Sequence, residues 1–161
     1  MHKTTWFLKD ESATAQLGAV IYRILQPGLK IYLHGELGAG KTFLTREILR
    51  ASGYSGRVKS PTYNLLETYE ISIGGRLVGL LHFDLYRMHQ PEEFIEAGFL
   101  EYFSSDQICL VEWPEQAADL IPAPDIDIFL SAEGAGRTVE FKTNSDLGTA
   151  CLENLSSSPN L

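Results

Sequence analysis

Residues 35–42 read GELGAGKT and match the phosphate-binding (Walker A) pattern G-x-x-x-x-G-K-[ST] at every fixed position. Glycines let such a loop turn its backbone N–H groups toward phosphates, and the helix that follows adds positive potential at its N-terminus. In this pattern Lys41 is placed to bridge the β- and γ-phosphates, and the hydroxyl of Thr42 is placed to hold Mg²⁺. A chance match in a chain of this length occurs on the order of one per cent of the time, so a glycine-rich turn that binds nothing is the weaker interpretation.

Two acidic residues directly follow apolar runs that are typical of strands. Asp84 follows residues 80–83, and Glu112 follows residues 108–111. Ligands of open α/β sheets bind beyond the carboxyl ends of the strands, so both carboxylates can converge on the phosphates. One of them can sit on Mg²⁺ or its water shell while the other positions the attacking water. The alternative is that each acid only marks the point where the chain returns to solvent.

Three further features lie close to these residues in the sequence. Residues 60–62 read SPT, and the proline fixes a turn that presents two flanking hydroxyl groups. This segment is either a switch that senses γ-phosphate and Mg²⁺ or an ordinary Ser-Pro turn. Trp113 follows Glu112 and packs either near the nucleotide or in the core or rim. His82 lies inside an apolar run and is interpreted as structural.

The remaining sequence predicts the elements that must position these residues. Hydrophobic spacing and turn residues indicate the following order: a helix between residues 10–12 and 26–28, a strand at 31–34, a helix at about 41–51, strands at 63–71 and 77–83 joined by a Gly-Gly turn, a short helix at 91–94, a strand at 108–111, paired strands at 125–130 and 138–142, and a helix at 146–155. This order predicts an α/β fold in which antiparallel strands are added to a parallel core.

Composition and length narrow the class of protein. A chain of 161 residues predicts one domain, here residues 1–155, followed by a frayed tail at 156–161. A composition that is 44% hydrophobic and 21% charged excludes a disordered or fibrous protein. Two cysteines exclude a disulfide framework or a cysteine zinc site, and they favour a reducing, cytoplasmic location. No apolar run is long enough to span a membrane, and no secretory signal is visible.

The formal net charge is −8, and it is unevenly distributed. Residues 1–87 hold 11 Lys or Arg and 7 Asp or Glu, a balance of +4, whereas residues 88–161 hold 2 and 14, a balance of −12. An acidic total argues against a protein that binds nucleic acid unaided. We expect the acidic half to face solvent or a protein partner.

Four blocks of sequence together resemble the bacterial TsaE (YjeE) family, the small ATPases of tRNA threonylcarbamoyladenosine synthesis. The blocks are GELGAGKT at 35–42, SPTY at 60–63, HFDLYR at 82–87 and VEWPE at 111–115, and they occur in the family's order. The phosphate loop alone identifies only a superfamily. The tracts around Asp84 and Glu112 are far more specific. The stretch after about residue 143 shows no family motif.

The resemblance implies a P-loop NTPase-like, three-layer fold with a parallel core sheet flanked by antiparallel strands. It implies ATP binding, dependence on Mg²⁺ and weak intrinsic hydrolysis. It also implies action with two partner proteins, TsaB and TsaD, of which TsaD transfers the threonylcarbamoyl group to tRNA. This chain would reset the modifying complex between turnovers, and it would meet tRNA at most through that complex.

The resemblance also assigns roles to individual positions. It implies a phosphate cradle, a pair of Mg²⁺ positions, a hydrolytic carboxylate within a catalytic group, and contacts to the rest of the nucleotide. These are, in that order: Leu37, Gly38, Ala39, Gly40, Lys41 and Thr42; Thr42 and Glu112; Asp84 with Lys41 and Thr62; Asp10 near the base and Arg137 on the last hairpin.

Two other functions share the phosphate loop. A small-molecule P-loop kinase needs arginines in a lid or substrate clamp, but after Arg87 the chain has only Arg137 and Lys142. A nucleotide-gated binding module that hydrolyses nothing has no use for a carboxylate that positions water. Steady loss of ATP without a phosphorylated acceptor would distinguish an ATPase from both.

Overall fold

The computed structural model describes residues 2–61 and 63–156. Within them, strands and helices alternate along most of the chain. In chain order the elements are: β1 (Lys3–Leu8), α1 (Glu11–Ile24), β2 (Lys30–His34), α2 (Lys41–Ala51), β3 (Leu66–Ile73), β4 (Arg76–Asp84), α3 (Glu92–Glu96), β5 (Ile108–Glu112), β6 (Ile126–Glu133), β7 (Gly136–Thr143) and α4 (Asp146–Ser156). Two 3₁₀ helices, Leu100–Ser104 and Pro114–Leu120, flank β5.

The described strands form one sheet of seven, in the order β1-β7-β6-β2-β5-β4-β3. Its centre is parallel, because β2 runs parallel to both β5 and β6, and β4 runs parallel to β5. Antiparallel strands extend it on both sides, with β3 on β4, β7 on β6 and β1 on β7. This confirms the predicted fold class, a parallel core flanked by antiparallel strands.

Alternate residues of the central strands enter two separate cores, because successive side chains of a strand point to opposite faces. Ile31 and Leu33 of β2 pack with buried residues of α1, α2 and α4. Tyr32, between them, packs on the other face with Phe94 of α3 and Phe103 of a 3₁₀ helix. A strand buried on both faces is continuously apolar, which is why β2 and β5 were recognisable in the sequence. The result is three layers.

Helices α1 and α2 approach each other closely at Gly18. A Cβ atom at that position would lie 2.7 Å from the Cβ of Glu47 and 3.0 Å from the backbone nitrogen of Ile48. Asp10 caps the start of α1, since its Oδ1 accepts a hydrogen bond of 2.9 Å from the N–H of Ala13. Because of the close approach at Gly18, α1 and α2 stand at a spacing that only glycine permits at this position.

Several sequence predictions need correction. The strand β1 was not predicted, and neither were the two 3₁₀ helices. β1 is an edge strand whose residues alternate between exposed and half-buried, so its pattern is weak. β3 begins at Leu66 rather than at residue 63, because Leu65 has a positive φ of 64° that an extended strand cannot accommodate.

The structure also bears on the sequence analysis of the cysteines, of membrane-spanning segments and of the C-terminal tail. The two cysteines, Cys109 and Cys151, are free and buried. Within the described residues, no helix combines the length and the apolar character needed to cross a bilayer. The predicted tail at 156–161 lies outside the described residues except for Ser156, the last residue of α4.

We expect Gly18→Ala to lower the free energy of unfolding by about 1–2 kcal/mol, because the added methyl group forces α2 away. The loss should appear even though alanine favours a helix by about 1 kcal/mol over glycine. Urea unfolding measures it, with Gln16→Ala, an exposed change on the same helix, as the control. Equal midpoints for the parent and Gly18→Ala would show that the helices are not in contact there.

Candidate active site

The phosphate loop connects β2 to α2, and two of its glycines are required by geometry. Gly35 has a φ of 152°, and a Cβ atom there would lie 2.5 Å from the carbonyl oxygen of Leu130 on β6. Gly40, at the helix start, has a φ of 105°. It also provides no side chain to cap α2, so the first N–H groups of that helix are available to an anion.

A cavity of about 410 Å³ lies over the loop and the start of α2. It collects predicted residues that are far apart in the sequence. Those that line it are: Asp10, Leu37, Gly38, Gly40, Lys41, Thr42, Glu112 and Arg137. Ala39 is not part of the lining; it is buried in the loop, where its N–H donates to the carbonyl oxygen of Glu36 at 3.0 Å.

Lys41 is almost completely buried, at 4% exposure. Its Nζ donates a hydrogen bond of 2.6 Å to the carbonyl oxygen of Gly35 and lies 3.6 Å from the centroid of the Trp113 ring. Burial lowers the pKa of Lys41, and nearby carboxylates, with Glu112 first, oppose that shift. The ring face attracts the ammonium group, so Trp113 lies beside the phosphate loop rather than in the core alone.

Glu112 is the most confined carboxylate of the site, at 2% exposure. The hydroxyl of Thr42 lies 3.2 and 3.0 Å from its two oxygens, which share the one hydrogen that this hydroxyl can donate. His82 Nε2 lies 2.6 Å from Glu112 Oε2, and that imidazole is completely buried. At this distance the imidazole nitrogen and the carboxylate oxygen are hydrogen-bonded to each other. Nδ1 of the same ring has no partner among the described residues.

Asp84 ends β4 directly beside Glu112, with which it is paired in the parallel register of β4 and β5. Its Oδ1 accepts a hydrogen bond of 3.1 Å from the N–H of Tyr86. Burial raises the pKa of Asp84, and the charge of Glu112 raises it further; the N–H of Tyr86 and the charges of His82 and Lys41 act the other way. A raised pKa makes this carboxylate a better proton acceptor than an exposed aspartate.

The far wall of the cavity comes from both ends of the chain. Arg137 is the second residue of β7 and pairs with Leu8 of β1. Its Nε lies 2.9 Å from the place where a Cβ of Gly40 would be, so the guanidinium group rests on the loop. Asp10 lines the cavity while it caps α1.

The model of the family described as "Threonylcarbamoyl adenosine biosynthesis protein TsaE" matches residues 8–139 of this chain. The chain belongs to the TsaE family. The protein named tRNA threonylcarbamoyladenosine biosynthesis protein TsaE from Haemophilus influenzae is 39% identical, over 92% of this chain and 94% of its own. Its namesake from Bacillus subtilis is 29% identical over 83% and 81%. The crystal structure of Bacillus subtilis YdiB matches with a TM-score of 0.79 and 26% identity, covering 96% of this chain and 95% of that one.

In this TsaE-family chain the predicted site residues fall into three groups. Most of the cradle, with Glu112, Asp10 and Arg137, shares the cavity, and Asp84 stands next to it on the adjoining strand. Thr62 lies outside the described residues. Ser60, two residues before it, has its Oγ 3.4 Å from the Oγ1 of Thr42.

His82 is the site residue that sequence reasoning missed, since it was interpreted only as structural. The signal was its spacing. His82 and Asp84 are two residues apart on one strand, so their side chains share a face. The neighbouring parallel strand β5 ends in an acidic residue, Glu112. It therefore brings a third titratable group to the end of β4 that carries His82 and Asp84.

Asp84 should make the folded protein less stable at neutral pH. Its pKa is raised on folding, so the ionised form lowers stability above that raised pKa. The penalty disappears below the ordinary carboxyl pKa of about 4. We therefore expect Asp84→Asn to increase the free energy of unfolding at neutral pH by about 0.5–2 kcal/mol, with the gain vanishing as the pH falls through about 4.

Urea unfolding without nucleotide, repeated across that pH range, measures this gain. Asp106→Asn is the matched control, because the side chain of Asp106 is 85% exposed. A gain that does not change with pH would contradict the electrostatic explanation.

Proposed function

We propose that this chain is a Mg²⁺-dependent ATPase that acts in the cytoplasm with TsaB and TsaD in the N6-threonylcarbamoyladenosine modification of tRNA. One observation carries the proposal. An open helix N-terminus, Lys41, Thr42 and Glu112 surround a single cavity, and a half-buried Asp84 stands on the neighbouring strand. Membership of the TsaE family and the names of the relatives support the pathway.

The residues present fit Mg²⁺ bound together with a nucleotide. The hydroxyl of Thr42 lies 3.0 Å from a carboxylate oxygen of Glu112, so both oxygens can ligate one cation or its waters. Mg²⁺ is usually bound by one or two carboxylates, substrate phosphates and water. Among the described residues no three His, Cys, Asp or Glu side chains cluster to form a metal cage, which is compatible with such a site. When bound, the cation neutralises charge on the phosphates.

The chain's own groups then have distinct tasks. The N–H groups at the start of α2 bind phosphate oxygens, and Lys41 exchanges its contact with the carbonyl oxygen of Gly35 for the β- and γ-phosphates. Asp84 accepts a hydrogen bond from the attacking water and orients it toward the γ-phosphate. Arg137 lies over the loop at Gly40 and contacts the nucleotide. His82 keeps the carboxylate of Glu112 in place.

Turnover by the chain alone is weak in this proposal. A guanidinium group that neutralises the transition state accelerates hydrolysis by about 10³–10⁵ in well-studied P-loop enzymes. TsaB and TsaD complete or order the site, and hydrolysis resets their complex between modification cycles. With a net charge of −8, the chain meets tRNA only through that complex.

Lys41→Ala should weaken ATP binding by about 10- to 100-fold, because a charge-assisted hydrogen bond to phosphate contributes about 1.5–3 kcal/mol. Trp113 reports binding, since its ring lies 3.6 Å from the Lys41 ammonium group. A Trp6→Phe background leaves it as the only tryptophan. Lys3→Ala, at a side chain that is 63% exposed, is the control. Unchanged ATP affinity for Lys41→Ala would disprove the predicted role of Lys41 in the phosphate cradle.

Asp84→Ala should retain ATP binding but lose partner-stimulated hydrolysis by about 10²–10⁴-fold, the usual contribution of a positioned base. Phosphate release is measured with and without TsaB, TsaD and tRNA, with Asp106→Ala as the control for loss of a charge. Turnover at the parental rate would exclude Asp84 as the hydrolytic carboxylate. If a phosphorylated acceptor forms in place of free phosphate, the alternative function of a small-molecule P-loop kinase is favoured.

A further inference from the structure

A group of exposed aromatic and basic side chains lies beside Asp84 and outside the nucleotide cavity. Tyr63 is 89% exposed and Tyr86 is 47% exposed. The guanidinium carbon of Arg87 lies 5.8 Å from the centroid of the Tyr63 ring. With His89, these residues line a groove of about 540 Å³. Tyr63, Tyr86, Arg87 and His89 are called the aromatic patch below.

Two hydrogen bonds connect Asp84 to residues that line the groove. The N–H of Asp84 donates to the carbonyl oxygen of Leu65 at 3.0 Å, and the N–H of Tyr86 donates to Asp84 Oδ1 at 3.1 Å. Leu65 also lines the groove, and it is held at a φ of 64°, which is strained for a branched side chain. A contact on Leu65 or Tyr86 would therefore act on residues that are hydrogen-bonded directly to Asp84.

A second connection runs through rings to the phosphate loop. The Tyr86 ring packs against the Trp113 ring, with centroids 5.0 Å apart. The Trp113 ring also contacts the ammonium group of Lys41, which lies 3.6 Å from its centroid. The patch thus contacts Asp84, the carboxylate that would orient water, and is connected through the Trp113 ring to Lys41, the lysine that would bind phosphate.

We propose that the aromatic patch is the docking surface through which a protein partner that presents a carboxylate to Arg87 controls ATP turnover. The inference rests on the proposed function, because it names the surface that the TsaB–TsaD complex would contact. Arg87 forms no ion pair with any described residue, so its charge is available to a carboxylate of the partner. Exposed tyrosine and arginine side chains are the types that dominate binding energy at protein interfaces.

The chemistry of the patch favours a protein over RNA. RNA binding gains its affinity from many phosphate contacts, whereas Arg87 is the one permanently charged cation of the patch. Glu93 lines the same groove, and the chain as a whole carries a net charge of −8. A protein surface, unlike RNA, can also bring a guanidinium group to the transition state.

The test compares Arg87→Glu and Tyr63→Ala with matched changes at the other end of β4, Arg76→Glu and Leu77→Ala. The Arg76 side chain is 65% exposed and, unlike Arg87, lies 3.6 Å from the carboxylate of Asp106. Leu77 is 68% exposed, so both controls change exposed side chains away from the patch. Affinity for the TsaB–TsaD complex and stimulated phosphate release are measured for each full-length chain. We expect both patch changes to weaken binding and stimulation by about tenfold or more, whereas the controls and the Kd for ATP stay unchanged. Arg87→Lys, which keeps the charge, should restore part of the affinity.

Each other outcome has one meaning. If the complex stimulates the parent and Arg87→Glu equally, the patch proposal is wrong and the proposed function stands. If the complex neither binds nor stimulates the parent, the proposed action of this chain with TsaB and TsaD is wrong. If Arg87→Glu abolishes binding of unmodified tRNA to the isolated chain while affinity for the complex is unchanged, the patch is an RNA site and the proposal is overturned.

Discussion

The hydrogen bonds of the Glu112 carboxylate hold the site together. A charge that is 98% removed from solvent is costly unless it is paired, and here the Thr42 hydroxyl and the His82 imidazole provide the partners. These partners come from α2 and β4, while Glu112 belongs to β5. The requirement to satisfy one buried carboxylate therefore ties the start of the helix to the ends of two strands. Asp84 and Lys41 stand where they do because their neighbours are fixed in this way.

The sheet order explains why one cavity can draw on residues from the whole chain. Parallel β2, β5 and β4 bring the phosphate loop, Glu112 and Asp84 to the same edge. On the other side, β7 and the edge strand β1 carry Arg137 and Leu8 against that loop. His34, the last residue of β2, fixes the entry to the loop through Asp127 of β6 at 2.6 Å. The antiparallel strands β7 and β1 thus form one wall of the site as well as extending the sheet.

The parts that could be predicted from sequence are those in which residue type and local spacing determine the outcome. The phosphate loop, the parallel core and the two strand-ending acids all depend on short patterns. What could not be predicted depends on contacts between distant segments. The pairing of His82 with Glu112 requires the register of β4 and β5, and the contact of Trp113 with Lys41 requires both the turn after β5 and the helix after β2. β1 was missed because an edge strand exposes alternate residues and leaves little apolar signal.

Two strained backbone positions and two unfavourably buried charges lie at or beside the site. Among the described residues, the two non-glycine residues with positive φ are Leu65 and Trp113; one accepts a hydrogen bond from Asp84 and the other follows Glu112. Burial also raises the pKa of Asp84 and lowers that of Lys41, so both groups are held in environments that disfavour their charges. Such strain persists only where the surrounding fold imposes it. A bound triphosphate would offset the cost of burying the charge of Lys41, whereas a contact on the Leu65 or Tyr86 side would act on residues hydrogen-bonded to Asp84. In the proposed function the two halves of the site would then respond to different occupants, as a nucleotide cycle under the control of a partner requires.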